Sequence, residues 1–409
     1  MTTRRWLPSL TQSQVALLTL RLAAGFQLLL MSATWKLWLN PGSFPLVPLL
    51  PLHLRPQLIP AASIPLAAGC LLLIFNVLPQ PRLQKRVVLL TLVAAAVPVL
   101  GSLQCLQAWH WLFMITLLLN LLPLPASNLR AVIAALYVCS GLSRFSQFPE
   151  QGPVGLIVRQ LLLFAEQPAV QPETVRLCCH LACAFEILAG LALLFAGSLP
   201  GITAAAAAAV MHLSLLAALG PFGLGHHPAV LLWNLHLLLL VPLLALTAPA
   251  CRLYPHSVSA ALRAYLPAAL HWLFALSGLF GIADNWPSWQ LYSSRPESWQ
   301  LWIRRDQAAR LPDNLQPWLS RTVVDGWQPL SLERLSFAAT SSPLVPEDRF
   351  QAAVIEAFLQ TMPTSTDFQI RITEPHQFRW WQRRERRIFT LQQLHEEQAR
   401  FLLNARSVR

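Results

Sequence analysis

Long apolar runs separated by short polar breaks fill the first 290 residues of the chain. A transmembrane helix needs about 20 mostly apolar residues to cross a hydrocarbon layer roughly 30 Å thick. By that criterion nine spans are predicted, at 14–38, 57–79, 87–103, 108–124, 129–146, 174–198, 202–219, 228–249 and 264–283. The third and fourth spans are separated only by a break at Gly101 and Ser102, so eight spans is the alternative count.

Two stretches between the spans have a different pattern. The proline-rich segment 40–56 is too short for a regular span and predicts an interfacial or re-entrant loop. The segment 154–167, "VGLIVRQLLLFAEQ", predicts an amphipathic helix lying on the membrane surface.

After residue 290 the pattern changes to that of a water-soluble domain. Short alternating stretches at 298–304, 368–373 and 386–391 predict strands. The segments 346–362 and 390–406 predict helices, the second starting at a Thr390 cap. We therefore predict a mainly α protein: a polytopic transmembrane helical bundle of 8–9 spans at 1–290, followed by a small α+β soluble domain at 291–409.

Composition excludes a soluble globular protein. The chain is 55% hydrophobic and only 12% charged, with a mean hydropathy of +0.48. The lipid bilayer is accordingly the first predicted partner.

The distribution of basic residues predicts the orientation. Residues 1–290 hold 14 Lys and Arg against 5 Asp and Glu. One set of ends and short loops collects Arg4, Arg5, the segment 81–86, Arg130, Arg252 and Arg263. By the positive-inside rule this side is cytoplasmic and includes the N-terminus. Nine spans place the C-terminal domain on the extracytoplasmic side and eight on the cytoplasmic side. We expect the former, in a bacterial inner membrane.

The seven cysteines all precede residue 290. None forms the Cys-x-x-Cys pair on which membrane thiol oxidoreductases depend. The C-C-x-x-x-C pattern at 178–183 predicts small-residue helix packing.

Ionisable residues at membrane depth carry the candidate chemistry, because an unpaired charge there costs several kcal/mol. Glu186 lies inside an apolar run, and its candidate partners are Arg144, His180, His212 and His236. The six-residue spacing rotates His180 away from Glu186 on a regular helix. The residues predicted to form a buried polar site are Arg144, Glu186, His212, Asn234 and His236. Such a site is either a structural contact between helices or a functional site for proton transfer, a quinone or an ion.

Metal binding is not predicted, since the chain has no HExxH motif and no Cys/His ladder. A b-type haem needs only two imidazoles on facing helices, which His212 and His236 would supply. The cofactor therefore stays open between a quinone and haem. His226 and His227 occupy a turn and are predicted to be solvated.

The segment "YVCSGLSRF" at 137–145 resembles the Tyr-x-x-Ser-Gly-Leu-x-Lys element of bacterial DoxX/MauE-like membrane proteins. It is also similar to the HTTM region of vitamin-K-dependent carboxylase-like proteins. The resemblance extends over roughly 130–250 and implies a redox-associated membrane protein, with Glu186 matching a buried acid. Arg144 stands where those proteins carry Lys. Arginine is a poor base, which puts a catalytic role of Arg144 in doubt. A role as counter-ion for the buried acid suits arginine well.

Aromatic and basic residues alternate in "RWWQRRERR" at 379–387. We interpret this stretch as a membrane-interface or protein-contact surface and predict no nucleic-acid partner. Trp286 and Trp289 fit the aromatic belt at a membrane surface.

Three functions remain, and whether the protein is an enzyme stays open. The first is a redox-associated protein with a buried polar site near a quinone or other small molecule. The second is a non-catalytic assembly or scaffold protein whose C-terminal domain binds a protein partner. A transporter is less favoured because no inverted repeat is evident in the sequence.

Overall fold

The computed structural model describes residues 10–50, 55–75, 80–145, 149–167, 170–195, 198–245, 258–291, 293, 297–376 and 379–407. Side chains at 258, 261, 375, 376 and 379–383 are outside this description. The predicted cytoplasmic cations Arg4, Arg5 and Arg252, together with Cys251, lie outside the described residues, as do most side chains of the 379–387 stretch.

Eleven described helices precede residue 290. They are α1 Gln12–Ala33, α2 Trp35–Leu39, α3 Leu58–Phe75, α4 Pro81–Gly101, α5 Ala108–Asn120, α6 Pro125–Arg144, α7 Pro153–Phe164, α8 Pro172–Leu193, α9 Leu199–Leu219, α10 Pro228–Ala245 and α11 Val258–Gly278. Each of the nine predicted spans overlaps at least one of these helices. The predicted surface helix corresponds to α7.

Within the described residues, seven helices are long and apolar enough to cross a membrane: α1, α3, α4, α6, α8, α9 and α10. The predicted fourth span is the 13-residue helix α5. It reaches only about 20 Å at 1.5 Å per residue, which is short of the hydrocarbon thickness. The ninth is the 21-residue α11, which interrupts its apolar residues with Arg263 and His271.

Burial separates a central helix from outer ones. In α6, 89% of the best apolar window is buried inside the protein, against 33% in α3, α4, α8 and α9. The outer helices expose large apolar side chains such as Leu181, Leu188 and Leu213. Exposed apolar faces of this extent match lipid contact. The chain is an integral membrane protein, and the predicted fold class is confirmed.

Two glycines allow α6 and α8 to approach closely. A Cβ on Gly141 would lie 2.7 Å from Ile187 Cγ1 and 2.9 Å from the Cys183 carbonyl oxygen. A Cβ on Gly190 would lie 2.9 Å from Tyr137 Cβ. Small residues at such contacts let membrane helices pack backbone to backbone. The pairing of 141 with 183 and of 137 with 190 makes the two helices antiparallel.

The chain forms two compact units. The first contains residues 1–30, 66–93 and 108–294, and the second contains 31–65, 94–107 and 295–409. The region predicted as a soluble domain therefore shares its compact unit with two segments from the first third of the chain.

The second unit contains a four-stranded antiparallel sheet. Its strands are β1 Ser298–Arg304, β2 Trp327–Leu330, β3 Phe368–His376 and β4 Arg379–Ile388, in the order β2-β1-β3-β4. Three helices accompany them: α12 Leu332–Thr340, α13 Asp348–Leu359 and α14 Leu391–Gln398. The predicted strands at 298–304 and 368–373 and the predicted helix at 346–362 are confirmed as β1, β3 and α13. The strand predicted at 386–391 overlaps only the last three residues of β4, and the helix predicted at 390–406 ends at Gln398. The Thr390 side chain caps α14 by accepting from Gln393 N. The sequence analysis missed β2 and α12.

Gln104 joins the early segments of this unit to the late ones. Its side-chain nitrogen has three oxygens within hydrogen-bond distance for its two N–H donors: Ser336 Oγ at 2.9 Å, Ser342 Oγ at 2.9 Å and the Pro343 carbonyl at 2.8 Å. Lys36 Nζ donates to the Ala338 carbonyl at 2.9 Å, close to the C-terminal end of α12. Cations and donors at that end satisfy carbonyls that have no partner within the helix.

Candidate functional site

Arg144 and Glu186 form an ion pair between α6 and α8. Arg144 Nη1 lies 2.6 Å from Glu186 Oε2, and the two side chains are 17% and 6% exposed. The close approach of α6 and α8 at Gly141 and Gly190 brings the two residues together. Of the four candidate partners named for Glu186, the structure selects Arg144. The pair removes the cost of leaving either charge alone in an apolar surrounding.

The ion pair lies where regular helical backbone ends. Arg144 is the last residue of α6, and its Nε donates to the Leu291 carbonyl at 2.9 Å. Glu186 lies 14 residues after the start of α8, about 21 Å along that helix. Irregular backbone at membrane depth occurs where it is buried in protein or lines a polar cavity. A helix that ends next to a buried ion pair therefore indicates a functional site here.

A hydrogen-bonded chain connects α6, α9 and α10. Tyr137 Oη lies 2.7 Å from His212 Nε2, and His212 Nδ1 lies 3.0 Å from Asn234 Oδ1. Asn234 Nδ2 donates to the Val230 carbonyl at 2.9 Å, which fixes the orientation of the amide. The neutral His212 ring therefore donates from Nδ1 to Asn234 and accepts at Nε2 from the Tyr137 hydroxyl.

His236 lies apart from this chain. It is 2% exposed, and neither ring nitrogen has a hydrogen-bond partner among the described residues. Its ring stacks on Phe26 with centroids 4.9 Å apart and an interplanar angle of 18°. The structure thus joins His212 to Asn234 but gives His236 an aromatic environment.

The other histidines occupy separate places. His180 stacks on Phe145 with centroids 5.6 Å apart, and the ion-pair partner of Glu186 is Arg144. His226 is exposed in the turn before α10, and His227 Nδ1 accepts from Ala229 N at 3.3 Å.

Trp289 is not exposed at the membrane surface as an aromatic belt would require. Its side chain is fully buried, and Nε1 donates to His271 Nε2 at 2.7 Å. Its backbone has a positive φ of 65°, which residues other than glycine rarely adopt. The residue follows a tight turn after α11. Trp289 therefore packs inside the protein next to the segment that supplies Leu291.

The geometry does not fit a haem held by His212 and His236. An axial ligand must present an unprotonated ring nitrogen to iron. In His212 that nitrogen is Nε2, which accepts from Tyr137, while Nδ1 is bonded to Asn234. In the part of the chain that the structure describes, no group of three or more His, Cys, Asp or Glu side chains is placed to hold a metal ion.

Sequence analysis missed one residue of the site, Tyr137. A signal was present, because positions 137, 140 and 144 are spaced i, i+3 and i+7 and so share one face of α6. That face carries Tyr137, Ser140 and Arg144, which are the tyrosine, serine and cationic positions of the "YVCSGLSR" motif. The motif therefore describes one polar face of a buried helix.

Comparison of the whole chain with protein-family models, with curated proteins and with solved structures finds no match. The DoxX/MauE-like and HTTM-like resemblance stays a prediction that rests on the 137–145 segment. The class established by fold and composition is an integral membrane helical bundle with a sheet-containing C-terminal region.

Proposed function

We propose that the membrane part of this protein binds a lipid-soluble, carbonyl-bearing molecule of the quinone type at the Arg144–Glu186 pair, and takes part in a membrane redox process. The observation that carries the proposal is a polar cluster of Arg144, Glu186, Tyr137, His212 and Asn234 inside helices otherwise apolar enough to cross a membrane. Polar groups kept at such depth mark substrate and proton pathways in membrane proteins.

Arg144 has a guanidinium nitrogen left to donate to a ligand. Its Nε and Nη1 are engaged with Leu291 and Glu186, whereas Nη2 has no described partner and the side chain is 17% exposed. A guanidinium donor next to a carboxylate suits a quinone carbonyl, which accepts hydrogen bonds. Because arginine keeps its proton, it would orient the ligand, and the Tyr137–His212 pair would hold the exchangeable proton.

A titration with decyl-ubiquinone tests this proposal. The probe is added to the purified protein in detergent while tryptophan fluorescence is followed. We expect saturable quenching, with the affinity at least tenfold weaker in Glu186→Gln and in Arg144→Gln. His226→Gln, at an exposed turn histidine, is the matched control and should bind as the unchanged protein does. Quenching that rises linearly, or equally in all variants, would refute the binding site.

The scaffold function is favoured by a different observation. Glu186, Tyr137, His212 and Asn234 already pair with groups on neighbouring helices, so they fix helix register without any ligand. On this alternative, Arg144→Gln combined with Glu186→Gln should keep the fold and the binding of a protein partner by the C-terminal domain. Loss of decyl-ubiquinone binding in a protein that still folds would favour the redox function instead.

We also propose that the C-terminal domain is extracytoplasmic. The segments that share its compact unit, 31–65 and 94–107, include the C-terminal ends of α1 and α4. Both helices start near basic residues, at Arg4 and Arg5 and at 81–86, which favours a cytoplasmic start. The hydrogen bonds from Gln104 and Lys36 to the domain then support its location at the opposite membrane surface.

Fusion reporters in a bacterial host test this orientation. Alkaline phosphatase fused after residue 409 should be active, and green fluorescent protein fused at the same position should not fluoresce. A control fusion after residue 87 should give the reverse pattern. A bright fluorescent fusion at the C-terminus would place the domain in the cytoplasm.

A further inference from the structure

Arg130 is buried inside a membrane helix, and no carboxylate of the described residues forms an ion pair with it. It lies five residues after the start of α6 and is 7% exposed. Its Nε and Nη1 are shielded from solvent and have no hydrogen-bond partner among the described residues. Buried guanidinium nitrogens without partners are costly, and more so where the surroundings are lipid.

Residues 1–290 supply no carboxylate at this end of the helix. Residues 1–149 contain no Asp or Glu, and the acids of residues 1–290 are Glu150, Glu166, Glu173, Glu186 and Asp284. Four of them follow the C-terminal end of α6 or belong to α8, which pairs antiparallel with α6. Asp284 follows α11, near the segment whose Leu291 carbonyl binds Arg144. All five therefore lie toward the Arg144 end of the bundle.

The described surroundings of Arg130 combine polar groups with cations. Asn128 Nδ2 donates to the Pro123 and Ala264 carbonyls, which joins the starts of α6 and α11, and its Oδ1 is a buried acceptor with no partner among the described residues. Tyr265, on α11, lies within electrostatic range of Arg130. On the nine-span count, in which α5 is a span, α4 also starts at this end, with exposed Arg82, Lys85 and Arg86.

We infer that Arg130 binds a phosphate group, either from an anionic lipid headgroup or as free phosphate. The guanidinium fork matches two phosphate oxygens, and a hydroxyl such as that of Tyr265 is a suitable third donor. Five helical residues place Arg130 about 7 Å from the start of α6, within reach of headgroups for a side chain of this length. Basic pockets between helices on the cytoplasmic side bind phosphate headgroups in this way.

Thermal unfolding of the purified, delipidated full-length protein tests the inference. It is followed in detergent with dioctanoyl phosphatidylglycerol, dioctanoyl phosphatidylcholine or inorganic phosphate. We expect phosphatidylglycerol to raise the midpoint more than phosphatidylcholine, with an apparent affinity at least tenfold weaker in Arg130→Gln. Arg263→Gln, at an exposed arginine of α11, should match the unchanged protein.

The two sources of phosphate separate in the same experiment. An Arg130-dependent rise with phosphatidylglycerol alone identifies a lipid site, and the same rise with inorganic phosphate identifies a site for the free ion. If Arg130→Gln is not recovered folded, Arg130→Lys replaces it and should bind phosphatidylglycerol several-fold more weakly, since lysine lacks the fork. No stabilisation by either phosphate source, or equal affinities in the Arg130 variants and the unchanged protein, would overturn the inference.

Discussion

The contribution of Arg144 depends on the presence of Glu186. Removing one partner of a buried ion pair leaves the other charge uncompensated, at a cost of about 3–5 kcal/mol, whereas removing both avoids most of that penalty. We therefore expect Arg144→Gln to lower the free energy of unfolding by an amount in this range, and the double change Arg144→Gln with Glu186→Gln to recover most of it. Denaturant unfolding in detergent, read by tryptophan fluorescence, measures both. Additive losses would show that the two side chains are not coupled.

Glu297, in the C-terminal domain, gives a prediction about pH. Burial raises the pKa of its carboxyl to about 7, and the nearby Asp348 carboxylate adds to the rise, while the Trp299 indole donor opposes it. A carboxyl with a raised pKa in the folded state contributes stability that is complete below its ordinary value of about 4.5 and is lost as the pH rises through 7. We expect Glu297→Gln to unfold at a higher temperature than the unchanged protein at pH 8.

The gain from Glu297→Gln should shrink or vanish at pH 5, where the carboxyl is protonated in the folded state. Glu396→Gln, at an exposed residue of α14, serves as the control. Its unfolding temperature should differ from that of the unchanged protein by the same small amount at pH 5 and at pH 8. A gain from Glu297→Gln that is equal at pH 5 and pH 8 would contradict the linkage.

At the scale of elements, the contact between α6 and α8 positions the ion pair. Gly141→Ala would push a methyl group against Ile187 and the Cys183 carbonyl, and because the carbonyl is backbone the helices must separate. We expect a loss of about 1–3 kcal/mol, the usual cost of overpacking. Gly25→Ala in α1, where nothing lies within 4 Å of the added methyl, should be neutral or stabilising. Equal effects of the two changes in thermal unfolding would argue against the close contact.

Element type was predictable where the hydrophobic pattern was long or clearly alternating. The strand Ser298–Arg304 alternates along most of its length, and every predicted span overlaps a helix. The four-residue β2 and nine-residue α12 were missed, because runs this short contain too few periods to distinguish a strand from a helix or a loop. Their conformation depends on pairing with β1 and on the Ser331 cap.

At the scale of the whole molecule, the C-terminal region depends on distant segments. Phe44 contacts the rings of Phe350 and Phe358, with centroids 6.5 and 6.0 Å apart, and Gln104 satisfies buried hydroxyl groups of the same unit. Residues 291–409 expressed alone lose these contacts. We expect this fragment to show no cooperative thermal transition by circular dichroism.

Variants of the full chain provide the control for that fragment. Gln104→Ala leaves buried hydroxyl and carbonyl groups without their donor and should cost about 1–3 kcal/mol. Gln57→Ala, at an exposed glutamine of the same compact unit, should cost little. A cooperative transition of the isolated fragment at the temperature of the full chain would show that the region folds independently.

The sequence by itself determined the class of protein, the positions of the helical spans and the presence of charged groups inside them. These are local properties: span length follows from membrane thickness, and the cost of a charge in an apolar run does not depend on the rest of the fold. Glu186 and Arg144 were identifiable for that reason.

Only the tertiary structure decided which side chains meet. Glu186 had four candidate partners, and the glycine contacts between α6 and α8 selected Arg144. His212 and His236 looked alike in sequence, yet one joins Tyr137 and Asn234 while the other stacks on Phe26. Such choices depend on the rotation and packing of helices far apart in the chain, which no local pattern encodes.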